Sequence, residues 1–130
     1  MKFLCLICAE KVMEQMTPEV ADRHYADYGK FSAAISKSGH YVDGNRLLPP
    51  ATAATVRVRD GKVAVTDGPF AETKEQLGGY YVIEAADRDE AIRVAAKIPG
   101  AWLGCVEVRP IADDARTVEI LDFEKSGAAR

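Results

Sequence analysis

Asp67-Gly68-Pro69-Phe70-Ala71-Glu72-Thr73-Lys74-Glu75, with Gly78-Gly79-Tyr80-Tyr81 directly after it, separates two runs that read as β-strands. Asp-Gly supplies the positive-φ position that a turn requires, and Pro69 has no N–H to give to a ladder. The polar side chains of this segment therefore sit on a stiff bend between strands. Upstream, Thr55-Val56-Arg57-Val58-Arg59 and Lys62-Val63-Ala64-Val65-Thr66 alternate strictly, and Asp60-Gly61 between them signals a type I′ turn. A two-residue loop pairs Arg59 with Lys62, Val58 with Val63 and Val56 with Val65. Both valine pairs then share one face, with Arg57 and Ala64 on the other. Downstream, Gly79 to Ala85 reads as the next strand.

Working outward, residues 2–8 are apolar on both faces, which predicts a strand covered on both sides. Thr17-Pro18-Glu19 opens a helix, with Thr17 as N-cap, Pro18 at the first helical position and Glu19 at the positive end of the dipole. Its buried stripe is Val20, His24, Tyr28, Phe31 and Ile35, and Gly39 ends it. Tyr41 and Val42 start a short strand that closes in Leu47-Leu48-Pro49-Pro50. Asp87 and Glu90 form a capping-box arrangement at the head of a second helix, whose apolar face is Ala91, Ile92, Val94, Ala95, Ala96 and Ile98. Pro99-Gly100 stops that helix. Trp102 to Arg109 is expected to be the last core strand, with Trp102, Gly104, Val106 and Val108 on one side. Residues 113–130 read as a C-terminal extension, in which 117–121 form one short β-like run.

The order β-α-β-β-β-α-β predicts an α+β domain over residues 1–112, a ferredoxin-like sandwich with an added strand. Both helices of such a fold pack on one face of a single sheet. The apolar first strand and the Trp102 strand leave the second face in need of a cover, and a second copy of the chain is the simplest one. A homodimer is therefore expected.

Composition narrows the function classes. At 130 residues, 48% apolar and 28% charged, the chain has the makeup of one globular domain. Its net charge is −3, and its cations are scattered singly, which disfavours direct nucleic-acid binding. The longest apolar run, Phe3 to Ala9, is far short of the roughly 20 residues that span a bilayer, and no cleavage site follows it, so no membrane association is expected. Three cysteines leave one unpaired in any disulfide scheme, which suits a reducing, cytoplasmic setting. Cys5 and Cys8 form a C-x-x-C, but strand alternation points their side chains to opposite faces, so they are expected to bind no metal and to form no mutual disulfide. Neither histidine has a metal-spaced partner, no phosphate loop follows Gly78-Gly79, and no cofactor is expected.

The nine-residue stretch around Asp67 resembles the signature of the DGPF branch of the YCII-related proteins. The likeness extends to the first strand, Thr17-Pro18-Glu19, Leu48-Pro49-Pro50-Ala51-Thr52, Val56-Arg57-Val58-Arg59-Asp60-Gly61 and Val106-Glu107-Val108-Arg109-Pro110. The resemblance implies a dimeric α/β barrel. It also implies a first-helix histidine, here His24, working with an aspartate. In the wider family that aspartate lies in an Asp-Pro-Phe stretch after the second helix. Here the region reads Ile98-Pro99-Gly100-Ala101-Trp102 and holds no acid, so Asp67 has to substitute.

Two functions are expected as alternatives. One is a small cofactor-free enzyme of lyase or dehydrochlorinase type acting on a small molecule. His24 would be its base and Asp67 the orienting or acidic group, with Arg57, Phe70, Glu72, Lys74 and Tyr80 binding the substrate. Asp27, three residues on from His24, can also reach its ring. The other is a non-catalytic binding or regulatory module with a protein partner, since genes of the DGPF branch often accompany extracytoplasmic-function sigma factors. On purely structural grounds the bend is only a turn, His24 is a half-buried core histidine, and His40 is a helix C-terminal cation.

Overall fold

The computed structural model describes residues 1–10, 16–71 and 73–112, so Glu72 and the β-like run at 117–121 lie outside the described residues. The first strand, β1 (Lys2–Ala9), runs through the middle of the protein. Its alternation is complete: Phe3, Cys5 and Ile7 are buried, while Leu4, Leu6 and Cys8 face the other way and are half-buried. Helix α1 (Pro18–Lys37) follows, capped by the Thr17 hydroxyl, which accepts from Val20 N at 3.3 Å. Then come β2 (Tyr41–Arg46), a short 3-10 turn at Pro50–Thr52, and the hairpin of β3 (Ala54–Arg59) and β4 (Lys62–Asp67). The chain continues through β5 (Gln76–Glu84), α2 (Arg88–Ala95), the single turn α3 (Gly100–Leu103) and β6 (Cys105–Pro110).

Strands β2, β5, β1 and β6 form one antiparallel sheet in that order. Phe31 and Ile35 of α1 and Ala91, Val94 and Ala95 of α2 bury into the same cluster as Phe3, Cys5, Ile7, Tyr81 and Ile83. Both long helices therefore cover one face, an α+β plan compatible with a ferredoxin-like fold. Asp87 caps α2 through Glu90 N at 2.8 Å, and the Glu90 carboxylate reaches back to Ala86 N. His40 lies beyond the end of α1, with Nδ1 2.6 Å from Ser38 Oγ and Nε2 3.1 Å from Glu90 Oε1, so it ties the two helix ends together.

The hairpin register is Arg59 with Lys62, Val58 with Val63, Arg57 with Ala64 and Val56 with Val65, as the alternation predicts. Asp60 (φ 52°) and Gly61 (φ 74°) both sit in the left-handed region that a type I′ turn needs. Two expectations are corrected. The hairpin does not join the main sheet but forms a two-stranded sheet of its own, because β5 takes the place beside β2. The expected Trp102–Arg109 strand begins only at Cys105, since Pro99 adopts helical angles (φ −55°, ψ −32°) and starts the α3 turn. Trp102 is 62% exposed, with Nε1 donating to Ala96 O, while Val106 and Val108 pack against the core instead of sharing its side.

Candidate functional site

Helix α1 is buried more deeply toward its C-terminal end than toward its N-terminal end. Its apolar stripe is fully used at Phe31 and Ile35, whereas Val20 at the other end is 39% exposed. Along α1 from Ala21 to Ser36, toward β2 and β5, a cavity of about 870 Å³ opens. A volume of this size holds a drug-sized or smaller ligand, and its walls are mostly apolar with a few polar groups.

His24 lines this cavity from α1. Its Nε2 is buried and has no hydrogen-bond partner among the described residues. Burial lowers its pKa below the ordinary 6.5, and the nearby Asp27 charge pulls the other way. At neutral pH the ring is therefore an uncharged base. Tyr28, one helical turn on, meets the His24 ring edge-on with centroids 4.9 Å apart. Tyr28 stacks in turn on Tyr81 of β5 at 6.5 Å. The Tyr28 hydroxyl lies against Gly100, and burial pushes its pKa up to about 12. Tyr81 shares a 2.7 Å hydrogen bond with Ser32, and burial raises it too. Both phenols thus stay protonated. Gly100 fits here because it lacks a side chain: a Cβ would stand 2.4 Å from Ile7 Cγ2 and 2.6 Å from the Tyr28 hydroxyl.

Two further groups complete the polar lining. Gln76, at the start of β5, leaves its buried Oε1 without a partner among the described residues. Arg46, at the end of β2, lies over the Tyr25 ring with its guanidinium carbon 5.3 Å from the centroid, and it donates to the Tyr25 hydroxyl. The cavity therefore offers an uncharged base, an acceptor awaiting a donor, and a cation suited to an anionic group.

Of the residues singled out in the sequence, His24 belongs to this lining, while Tyr80 borders it from β5 with its side chain, opposite Leu6, on the other face of the sheet, where Asn45 Nδ2 donates to its hydroxyl at 3.0 Å. Asp67 ends β4 outside the cavity of its own chain, and its charge is not among the influences on His24. The bend after it is pinned by Gly68 N to Ala53 O at 2.7 Å and by Thr55 Oγ1 to Gly68 O at 2.8 Å. Arg57 stands mid-hairpin opposite Ala64 and Phe70 is 82% exposed, both away from the cavity of the same chain. Lys74 pairs with Glu10 at 3.4 Å, and Glu10 itself is part of the lining. Tyr25, Ser32, Arg46, Gln76 and Tyr81 were missed by sequence reasoning. Of these, Ser32 carried a signal, since it lies one turn on from Tyr28 on the same helix face.

Comparison with known proteins decides the kinship. Residues 1–114 match the YCII-related domain. The chain belongs to the YCII-related family. An uncharacterized protein of Rhizobium meliloti is 40% identical to this YCII-related chain over 105 residues, covering 79% of this chain and 75% of that protein. The cavity, β1 and both helices all lie within the span of the YCII-related domain.

Proposed function

We propose that this chain, as a member of the DGPF branch, is a small cofactor-free enzyme of lyase or dehydrochlorinase type acting on a small molecule in the α1 cavity. The observation that carries the reading is the buried, unpartnered Nε2 of His24, held uncharged beside a cavity of about 870 Å³. A buried polar atom without a partner costs free energy that a bound ligand recovers. In an elimination, His24 Nε2 takes a proton from a substrate carbon, the electron pair of that C–H bond becomes the new double bond, and the leaving group departs with its own pair. Arg46 holds an anionic substituent, and Gln76 Oε1 accepts from a hydroxyl or N–H. The three free thiols suit a cytoplasmic enzyme.

Asp67, Arg57, Phe70 and Glu72 enter this reading through a homodimeric barrel, in which the segment of one copy serves the cavity of the other, whereas Lys74 reaches the cavity of its own chain through Glu10. Support comes from the exposed apolar side chains of that region: Phe70 at 82%, Val63 at 68% and Val65 at 62%. The same valines favour a second reading, a non-catalytic regulatory module whose protein partner, in a sigma-factor system, covers the hairpin. A thermal-shift screen of small aromatic, chlorinated and carboxylic compounds separates the two. The enzyme reading expects a hit whose stabilisation is lost in His24→Gln and which wild-type protein consumes. Hits indifferent to His24, or hits never turned over, would remove it.

A further inference from the structure

Cys8 and Cys105 are register partners across the ladder between β1 and β6. The bond from Ile111 N to Lys2 O at 2.9 Å marks residues 2 and 111 as a hydrogen-bonded pair. Such pairs recur every second residue in an antiparallel ladder, so residues 8 and 105 form another. Opposed residues of this kind have Cα atoms about 5.5 Å apart, within the range of about 4.4–6.8 Å that a disulfide bridges. Glu75 completes the group, its Oε2 accepting from Cys105 Sγ at 2.8 Å. Cys105 is exposed on the edge strand and Cys8 is half-buried, while Cys5 is buried on the opposite face.

We propose that Cys8 and Cys105 are a redox-active dithiol that a low-molecular-weight disulfide oxidises to an intramolecular cross-strand disulfide. The exposed Cys105 reacts through its minor thiolate form, its proton given to solvent, and this sulfur attacks one sulfur of the oxidant. The S–S bond of the oxidant breaks, one thiol leaves with a proton, and Cys105 carries a mixed disulfide. The Cys8 sulfur then attacks the Cys105 sulfur, breaks the mixed bond, and the second thiol departs with the proton from Cys8. The chain gives up two electrons and two protons, and the oxidant becomes two thiols. Burial, with the Glu107 and Glu75 charges, raises Cys8, and the bond to Glu75 holds Cys105 up at about 11. The resting pair is thus protonated, and it exchanges with a disulfide pool toward equilibrium instead of scavenging oxidant rapidly. Ala9, the last residue of β1, and Glu10 after it line the cavity, so the bridge ties one cavity wall to the edge strand.

The full chain is equilibrated in glutathione buffers from fully reduced to fully oxidised, then acid-quenched, alkylated and mapped by mass spectrometry. The expected result is the joint loss of two thiols, a mass lower by two hydrogens, a peptide linking residues 8 and 105, and reversal by excess reduced glutathione. Cys8→Ser is expected to leave a lasting glutathione adduct on Cys105. An adduct accumulating on Cys105 of the wild-type chain without the link, or three thiols intact in the most oxidising buffer, overturns the proposal.

Discussion

At the level of single residues, His24 makes the sharpest demand. Its pKa in the folded chain lies below the ordinary 6.5 because burial disfavours the charged ring. Between the folded and unfolded pKa values the unfolded chain binds a proton that the folded chain does not, so stability falls as pH drops below about 6.5 and levels off beneath the folded pKa. Urea midpoints measured across this range should show that decline, and His24→Gln should flatten its histidine part while shifting the neutral-pH stability by less than about 0.5 kcal/mol. Asp67→Asn keeps size and turn preference, so unchanged stability with lost ligand response would place its carboxylate in the chemistry. Silence in every assay would leave it a turn residue. Gly68 stands at φ 97°, where a Cβ is strained, so Gly68→Ala should cost about 1 kcal/mol or more in the same titration. His24 was legible because it interrupts an apolar helical stripe. Arg46 and Gln76 were not, because each matters only through the strand that brings it beside α1.

Between elements, what counts is how helices and strands seat on one another. The stripe of α1 tells which side faces the sheet, but periodicity carries no information on how far the helix stands off. The cavity therefore came from the structure and not from the pattern. Gly100 bounds it, and Gly100→Ala would drive a methyl into Ile7 and the Tyr28 hydroxyl. A cost of about 1–3 kcal/mol is expected in thermal or chemical melts, together with loss of any cavity ligand. The hairpin was readable to the residue because strict alternation and a two-residue turn fix the register independently and agree. The Trp102 segment was misread because Ala101-Trp102-Leu103 is a short apolar run, and such runs do not distinguish strand from helix. Pro99 decided it by continuing the helical path.

For the molecule as a whole, the open side of the sheet presents Leu4, Leu6, Tyr80 and Val82, all half-buried, bounded by the Arg109–Glu107 pair at 2.6 Å. The sequence revealed that the first strand is apolar on both sides, but the strand expected to widen that face presents Glu107 and Arg109 there, with Val106 and Val108 turned to the core. A dimer burying more than about 1,000 Å² is expected in sedimentation equilibrium, and Leu6→Glu should convert it to monomer. A wild-type monomer at micromolar concentration would refute the dimer. The hairpin of β3 and β4 shares no ladder with the main sheet, and an isolated two-stranded ribbon in water is at best marginally stable. In a copy whose hairpin is uncovered, its amides should therefore exchange with deuterated solvent through local opening, well ahead of those in β1 and β5, which wait for far rarer events. Slow exchange along the ribbon would then be a direct sign of contact with another molecule, read amide by amide before that molecule is known.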